Sequence, residues 1–176
     1  MTPSQAQETL FESWLKDHAG ILARVARSFA RSQSELEDLR QEMMLQLWIS
    51  TASFRTESAP STWVYRVCLN TAITWHRGDS RRKRRIEPRA DLNDVAGTLA
   101  SPAETAGKQE VIEQLYAAIH TMPDFDRALV LLMLDGVSYR DMATIIGITE
   151  THVGVALTRA RKRLAELMKG VIDEME

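Results

Sequence analysis

Aromatic rings and cations alternate along residues 62–77, a combination that suits binding to single-stranded nucleic acid. The segment TWVYRVCLNTAITWHR contains, in order, Trp63, Tyr65, Arg66, Trp75, His76 and Arg77. Unstacked bases pack on aromatic rings, at about 1–3 kcal/mol per base, while cations neutralise the phosphates and make the affinity salt-dependent. The segment therefore predicts a surface that holds unpaired bases along a charged backbone.

Burial in a protein core explains some of these rings equally well. One helical face of the segment contains Val64, Val67, Cys68, Thr71 and Trp75. We therefore expect Trp75 in the core, whereas Trp63 fits either the core or a base platform. Asn70 lies on the opposite side, where its amide can hydrogen-bond the edge of a base.

Residues 138–164, SYRDMATIIGITETHVGVALTRARKRL, have the spacing of two short helices joined by a tight turn. Ser138 and Asp141 resemble a capping box, and Thr149 is a natural N-cap for the second helix. Gly147 tolerates the positive φ at which the first helix must stop. Apolar positions for a shared core come from Met142, Ala143, Ile146, Ile148, Val153 and Leu157. This pattern predicts a helix-turn-helix whose second helix enters a DNA major groove, and the alternative is an ordinary hairpin with a solvated, charged end.

Charge is unevenly distributed in a chain whose net charge is only −2. Residues 77–89 hold seven basic and two acidic side chains. A second basic group follows the helix-turn-helix and consists of Arg159, Arg161, Lys162 and Arg163. Separate basic and acidic patches indicate two kinds of partner.

The acidic patch falls on one stripe of a predicted helix. Glu35, Asp38 and Glu42 are spaced i, i+3 and i+7, with Glu37 beside them, while Leu36, Leu39, Met43 and Leu47 face elsewhere. A solvated face is the common explanation for such a stripe, and paired carboxylates also suit metal or acid–base chemistry. No His or Cys ligand set lies nearby in the sequence, so a docking face for a basic protein explains the stripe better.

The 176 residues predict an all-α fold in two helical modules, because helical spacing recurs throughout and strand alternation does not. We place the N-terminal domain at 1–86, a polar linker rich in Pro and Gly at 87–108, and the C-terminal domain at 109–176. The sequence contains no run of 18 or more apolar residues and so predicts no membrane span. The first residues lack the pattern of a signal peptide. The single cysteine, Cys68, excludes an internal disulfide and fits the cytoplasm. Nothing predicts catalytic residues, a metal site, a cofactor or a small-molecule substrate.

Three segments together resemble the extracytoplasmic-function (ECF) group of bacterial sigma factors, within the sigma-70 family. ELEDLRQEMMLQLW, residues 35–48, is similar to the motif that binds the polymerase clamp. FRTESAPSTWVYRVCLNTA, residues 54–72, matches the loop and helix that open and read the −10 element. Residues 122–165 are similar to the domain that reads the −35 element. The resemblance covers nearly the whole chain and keeps the family's order.

This resemblance implies a role for each matching position. The residues that would dock on the β′ clamp of core RNA polymerase are Glu35, Glu37, Asp38, Gln41 and Glu42. Those that would contact the −10 element, including a pocket for one flipped base, are Phe54, Ser58, Ala59, Trp63, Arg66, Asn70 and Arg77. Those that would contact the −35 element are Thr149, Thr151, His152, Val155, Thr158, Arg159, Arg161 and Lys162. The family also implies contact with the β flap, a linker that runs toward the RNA exit path, and an anti-sigma factor that covers these surfaces.

The chain departs from the family pattern in both DNA-directed segments. Gly154 and Ala156 stand in the second helix where the family often has Lys or Arg, which removes two potential cationic contacts. Thr56 and Glu57 stand in a loop that often contains glycine and a different acidic residue. These positions leave the base preferences of the protein open.

Two other classes of function are compatible with parts of the sequence. A DNA-binding regulator that never joins polymerase would use the helix-turn-helix but leave the acidic stripe without a role. The sequence does not favour an enzyme, because it has no Gly-rich phosphate loop, no His or Cys residues at the spacing of metal ligands, and no recognisable motif around a nucleophile.

Overall fold

Apolar residues spaced three and four apart produce helices wherever the structure describes the chain. The computed structural model describes residues 5–83 and 104–173, and these ranges contain seven α-helices and no strand. The helices are α1 (Gln5–Phe29), α2 (Gln33–Thr51), α3 (Pro60–Lys83), α4 (Glu104–Thr121), α5 (Asp124–Leu134), α6 (Tyr139–Ile146) and α7 (Glu150–Asp173). The all-α prediction is confirmed.

Two compact units divide the chain, Met1–Asp94 and Val95–Glu176. The prediction of two helical modules is confirmed, but α4 begins at Glu104, so the last residues of the predicted linker 87–108 are helical. Gly107 does not interrupt α4, because one glycine costs a helix only about 1 kcal/mol. Packing of α4 against α5 and α7 outweighs that cost. The other residues of the predicted linker lie outside the described residues.

The first unit is a bundle in which α1, α2 and α3 each pack against the other two. Buried side chains repeat every four residues, as at Leu39, Met43 and Leu47 of α2 and at Val25 and Phe29 of α1. Full burial of such a side chain contributes about 1.5–3 kcal/mol, so this interior fixes how the three helices pack.

The buried face of α3 differs from the predicted one by a small rotation. Its core residues are Val64, Tyr65, Cys68, Leu69 and Ala72. Trp75, which we expected in the core, is half-buried, and Tyr65, counted among the candidate base platforms, is buried instead. Both rings are large enough to fill a core, and packing against α1 and α2 selects the one that is nearer.

In the second unit α7 packs against α4, α5 and α6, and its inward positions are Val153, Ala156, Leu157 and Ala160. A buried cation joins the ends of two helices there. Arg127, only 2% exposed, donates from Nη2 to the carbonyl of His120, in the last turn of α4, at 2.9 Å and to that of Met122, just beyond the helix, at 3.0 Å. These bonds satisfy carbonyl groups that have no partner within the helix.

No helix within residues 5–83 and 104–173 combines the length and the apolar character needed to cross a bilayer.

Candidate nucleic-acid interfaces

The helix-turn-helix of the second unit forms as its caps predict. Ser138 precedes α6, and its Oγ accepts from the backbone N–H of Asp141 at 3.1 Å and donates to the carboxylate of Asp141 at 2.6 Å. Gly147 ends α6 with φ of 81°, and Thr149 Oγ1 accepts from the N–H of His152 at 3.2 Å at the start of α7. All three predicted capping residues therefore lie at the helix ends where the sequence places them.

The outer face of α7 carries the side chains that we expected to contact the −35 element. Every one of these positions is exposed, namely Thr149, Thr151, His152, Val155, Thr158, Arg159, Arg161 and Lys162. The stripe lies opposite the buried positions of the same helix, so one surface presents hydroxyl, imidazole, methyl and cationic groups together. Such groups hydrogen-bond base edges, contact thymine methyls and neutralise phosphates.

Some of these side chains are already engaged within the unit. Thr158 Oγ1 donates to the carbonyl of Gly154 at 2.9 Å, and Arg161 Nε lies 2.9 Å from Met133 Sδ. The ring of His152 lies 6.4 Å from that of Phe125 in α5. These contacts restrict rotamers and leave the outer edges of the groups exposed. Arg163, part of the same basic run, forms an ion pair with Asp126 at 2.6 Å and so helps to hold α7 on α5.

In the first unit, the outward face of α3 forms a polar stripe. Arg66, Asn70, Thr74 and Arg77 are exposed at successive turns, and the half-buried Trp63 lies at its beginning. The stripe begins beside the loop 52–59, which contains the candidate residues Phe54, Ser58 and Ala59. The predicted −10 residues of α3 therefore share one face of that helix, which follows directly after the loop.

The loop 52–59 is anchored by its first aromatic residue. The ring of Phe54 makes edge contacts with Trp14 of α1, at 5.0 Å between centroids, and with Trp63, at 5.5 Å. Trp63 Nε1 donates to Ser50 Oγ at 3.2 Å. The sequence does not connect Trp14 with the loop, because the contact with Phe54 spans 40 residues. We call Trp14, Phe54 and Trp63 the aromatic cluster.

Thr56, within the same loop, has φ of 56° and is the one residue other than glycine with positive φ among the described residues. A β-branched side chain is strained in this region, which glycine enters freely. The departure from the family pattern noted for this loop is therefore one of residue type. The loop keeps a glycine-like turn without a glycine.

The acidic stripe of α2 divides into residues that cap the helix and residues that face outward. Ser32 Oγ accepts from the N–H of Glu35 at 3.2 Å, and the carboxylate of Glu35 accepts from the N–H of Arg31 at 2.8 Å. Sequence reasoning missed this cap, although Ser32 and Glu35 have the spacing of one. Glu35 thus has a structural role before any partner arrives.

The remaining acidic positions extend along the outer face of α2. Glu37 and Glu42 accept from Gln33 and Gln46, each one turn away, at 2.8 and 2.9 Å. Asp38 and Gln41 are exposed. The same face continues into two large exposed apolar side chains, Leu45 and Ile49. The four- and eight-residue spacing from Gln41 could have revealed them in the sequence.

Within the described ranges, no cluster of three or more His, Cys, Asp or Glu side chains is placed to hold a metal ion. Cys68 is buried in α3, and burial raises the pKa of its thiol to about 12, so little thiolate forms at neutral pH. Both units present charged and hydrogen-bonding side chains at their surfaces.

Two family models match the chain in the order of its units. Sigma-70 region 2 matches residues 14–82, which include the acidic stripe, the loop and α3. Sigma-70 region 4 matches residues 112–164, which include the helix-turn-helix.

Relatives of known function match most of the chain. It is 30% identical over 159 residues to the ECF RNA polymerase sigma factor SigM of Mycobacterium tuberculosis, covering 90% of this chain and 76% of that protein. It is 34% identical over 155 residues to the ECF RNA polymerase sigma factor EcfG of Rhodopseudomonas palustris, covering 84% and 82% of the two chains.

Two solved structures share the fold. One is the sigma factor RpoE in complex with the anti-sigma factor NepR from Bartonella quintana, with a TM-score of 0.71 at 21% identity over 90% of this chain and 96% of that one. The other is CnrH in complex with the cytosolic domain of CnrY, with a TM-score of 0.62 at 20% identity over 91% and 88%. From the two region models and the sequence relatives together, this chain belongs to the ECF group of the sigma-70 family of RNA polymerase sigma factors.

Proposed function

We propose that this protein is an alternative sigma factor that binds core RNA polymerase, directs initiation at its own set of promoters, and is restrained by an anti-sigma factor. It has no catalysis of its own and works in the cytoplasm, where RNA polymerase acts. The observation that carries the proposal is the pairing, on one three-helix unit, of an outward acidic face on α2 with an outward Arg–Asn–Thr–Arg stripe on α3. A regulator that never joins polymerase has no use for the first of these faces.

The acidic face of α2 is the proposed contact with the β′ clamp. Asp38 and Gln41 would meet basic and polar groups of that clamp, and Leu45 and Ile49 would extend the contact with apolar surface. Glu37 and Glu42 support the same negative potential, whereas we assign Glu35 mainly to the helix cap because its carboxylate accepts the N–H of Arg31. Contact of the second unit with the β flap completes the proposed polymerase interface.

The loop 52–59 and the stripe of α3 are the proposed −10 interface. Phe54, Ser58, Ala59 and Asn70 would surround a base extruded from the non-template strand, while Trp63, Arg66 and Arg77 contact the adjoining strand. Extrusion costs a few kcal/mol of stacking and pairing, so a pocket that holds the base favours open DNA. The exposed stripe of α7 is the proposed −35 interface, with Arg159, Arg161 and Lys162 on phosphates.

Run-off transcription with purified core polymerase and a promoter library tests the function directly. We expect specific start sites that depend on this protein, and the selected promoters define its −10 and −35 elements. An absence of any protein-dependent start site would reject the proposal. Adding a partner captured from the native cells tests the restraint, since an anti-sigma factor must abolish the run-off product.

Charge reversal tests the polymerase interface. Asp38→Lys with Glu42→Lys should weaken association with core polymerase by about tenfold or more, because complementary contacts become repulsive. Glu8→Lys with Glu12→Lys makes the same charge change at the same spacing on exposed positions of α1 and should leave association unchanged. Equal affinity of both double variants for core polymerase would show that the acidic stripe is a solvated face and does not contact polymerase.

Replacement of one amide tests the −10 interface. Asn70→Ala should reduce promoter opening by about tenfold, the effect of one lost hydrogen bond to a buried base edge, and leave polymerase binding intact. Gln5→Ala, which removes an exposed amide from α1 outside the proposed interfaces, is the matched control. Equal loss of opening and of polymerase binding in Asn70→Ala would contradict the assigned pocket.

A further inference from the structure

The loop 52–59 has backbone hydrogen bonds at its ends and an exposed, strained middle. Phe54 N–H donates to the carbonyl of Thr51 at 3.3 Å, and Trp63 N–H donates to that of Ala59 at 3.1 Å. Between these ends, residues 55–57 are exposed, and Thr56 has positive φ. A loop of this kind takes its shape from side chains that tie it to the helices.

Phe54 supplies that tie, because two indole rings hold it from different helices. The Trp14 ring meets it at an interplanar angle of 86° and the Trp63 ring at 67°, both within the range of favourable edge contacts. Trp63 is itself fixed by its hydrogen bond to Ser50. Trp14 is fixed by burial, with only 2% of its surface exposed.

Trp14 fills this position at an energetic penalty. Its Nε1–H is buried and has no acceptor among the described residues. A buried donor without a partner opposes folding, and a phenylalanine would place an aromatic ring here without that penalty. The contribution of Trp14 to the loop is therefore its aromatic ring, through the edge contact with Phe54.

We infer that Trp14, a buried residue of α1, positions the base-capturing loop through Phe54. The inference rests on the proposed function, since it concerns the pocket for the extruded −10 base. Trp14 holds Phe54 through this edge contact, so the ring assigned to the pocket is in place before the base arrives. A preformed pocket loses less conformational freedom on binding, and its preference for the base is larger.

Discrimination between a base and an empty sugar measures the pocket itself. Holoenzyme is bound to fork-shaped promoter DNA whose −10 non-template strand is single-stranded and carries the sequence selected by the run-off experiment. One version has the captured base and the other is abasic at that position, and fluorescence anisotropy gives the ratio of the two dissociation constants. A role of Trp14 in stability alone would change both constants equally and leave this ratio unchanged.

Three substitutions separate the ring, the N–H and general packing. Trp14→Leu should reduce the ratio by about 3- to 10-fold, the range that an edge contact between aromatic rings contributes. Trp14→Phe keeps a ring and removes the unpaired donor, so the ratio should stay within about twofold of the original. Phe11→Leu is the matched control, because it removes a similar edge contact, with Trp48 at 5.3 Å, that joins α1 to α2 and not to the loop.

The inference is overturned if Trp14→Leu keeps the full ratio, or if Phe11→Leu lowers it as much. If Trp14→Leu does not fold, Trp14→Met fills the space without a ring and faces the same two outcomes. Failure of the proposed function looks different, because the unsubstituted holoenzyme would then show no preference for the base. A preserved preference with no effect at Trp14 rejects only the positioning role.

Discussion

The two DNA-directed regions each contain a turn with positive φ, and they achieve it by opposite means. In the helix-turn-helix, Gly147 adopts φ of 81°, and both its N–H and that of Ile148 donate to the carbonyl of Ala143. In the loop 52–59, Thr56 adopts φ of 56° and its hydroxyl reaches only the adjacent carbonyl of Arg55, at 2.6 Å. The first turn is stable by its own residues, whereas the second is strained.

This difference matches what each region has to do. A helix that reads duplex DNA must keep a fixed angle to its neighbour, so a locally determined turn suits it. A loop that captures an extruded base must shape a pocket, and contacts from outside the loop, here the aromatic cluster, can do so. The strain at Thr56 is then offset by packing elsewhere in the unit.

Among the substitutions that test this contrast, loss of Gly147 should have the largest effect on stability. Gly147→Val places a β-branched side chain at positive φ and should lower the free energy of unfolding of the second unit by about 1–2 kcal/mol. Thr144→Val adds the same side chain at an exposed helical position and should lower the free energy of unfolding by only a few tenths of a kcal/mol. Amide hydrogen exchange in α6 and α7 measures both, and equal protection in the two variants would show that the turn does not need its glycine.

Removal of the helix caps should have an effect of about 1 kcal/mol in either unit. Ser138→Ala removes the acceptor for the N–H of Asp141, and Ser32→Ala removes the acceptor for the N–H of Glu35. Hydrogen exchange should increase in the first turn of α6 and of α2 respectively. Ser13→Ala, which removes an exposed hydroxyl within α1, is the control, and a loss at Ser13 as large as at the caps would contradict the capping assignment.

Relief of strain should stabilise the first unit by about 1 kcal/mol. Thr56→Gly removes the strain of a β-branched residue at positive φ, about 1–3 kcal/mol, and adds the backbone entropy cost of glycine, about 0.5–1 kcal/mol. Thr56→Ala keeps a Cβ at the same φ and is the control that should gain less.

Cys68 offers a direct measurement of this gain. Because the thiol is buried and its pKa is raised to about 12, a thiol reagent labels it only when the unit opens. Thr56→Gly should slow labelling about fivefold, the factor that corresponds to 1 kcal/mol. Faster labelling would mean that Thr56 is not strained. An unchanged base-to-abasic ratio in Thr56→Gly would support the aromatic cluster as the element that sets the pocket.

The same contrast explains which parts of the molecule the sequence predicts. The ends of the two helices in the helix-turn-helix were predictable because Ser138, Gly147 and Thr149 act on their immediate neighbours, whereas its core was predicted only in part, since Ile145 is buried and the predicted Ile146 is half-buried. The acidic stripe was predictable from helical spacing, as was the all-α fold. Contacts between distant residues were not, and these include Phe54 with Trp14 and the choice of Tyr65 over Trp75 for the core. The non-helical backbone at His18, with φ of −124° and ψ of 16° inside α1, has no signal in the residues around it.

Gly154 should show the smallest effect and is the sharpest test of how closely α7 approaches DNA. Gly154→Ala should stabilise the second unit by about 0.5–1 kcal/mol, because glycine is unfavourable within a helix. An added Cβ would lie 3.7 Å from Tyr139 Cε2, an ordinary contact, so the protein itself gives no reason for the glycine. Thermal unfolding measures the gain, and binding to the selected −35 element shows whether recognition survives. If Gly154→Ala gains stability but loses affinity for the −35 element, the glycine is needed so that α7 can lie close to the bases. If the affinity is retained, this position differs from the family pattern only in lacking a cation.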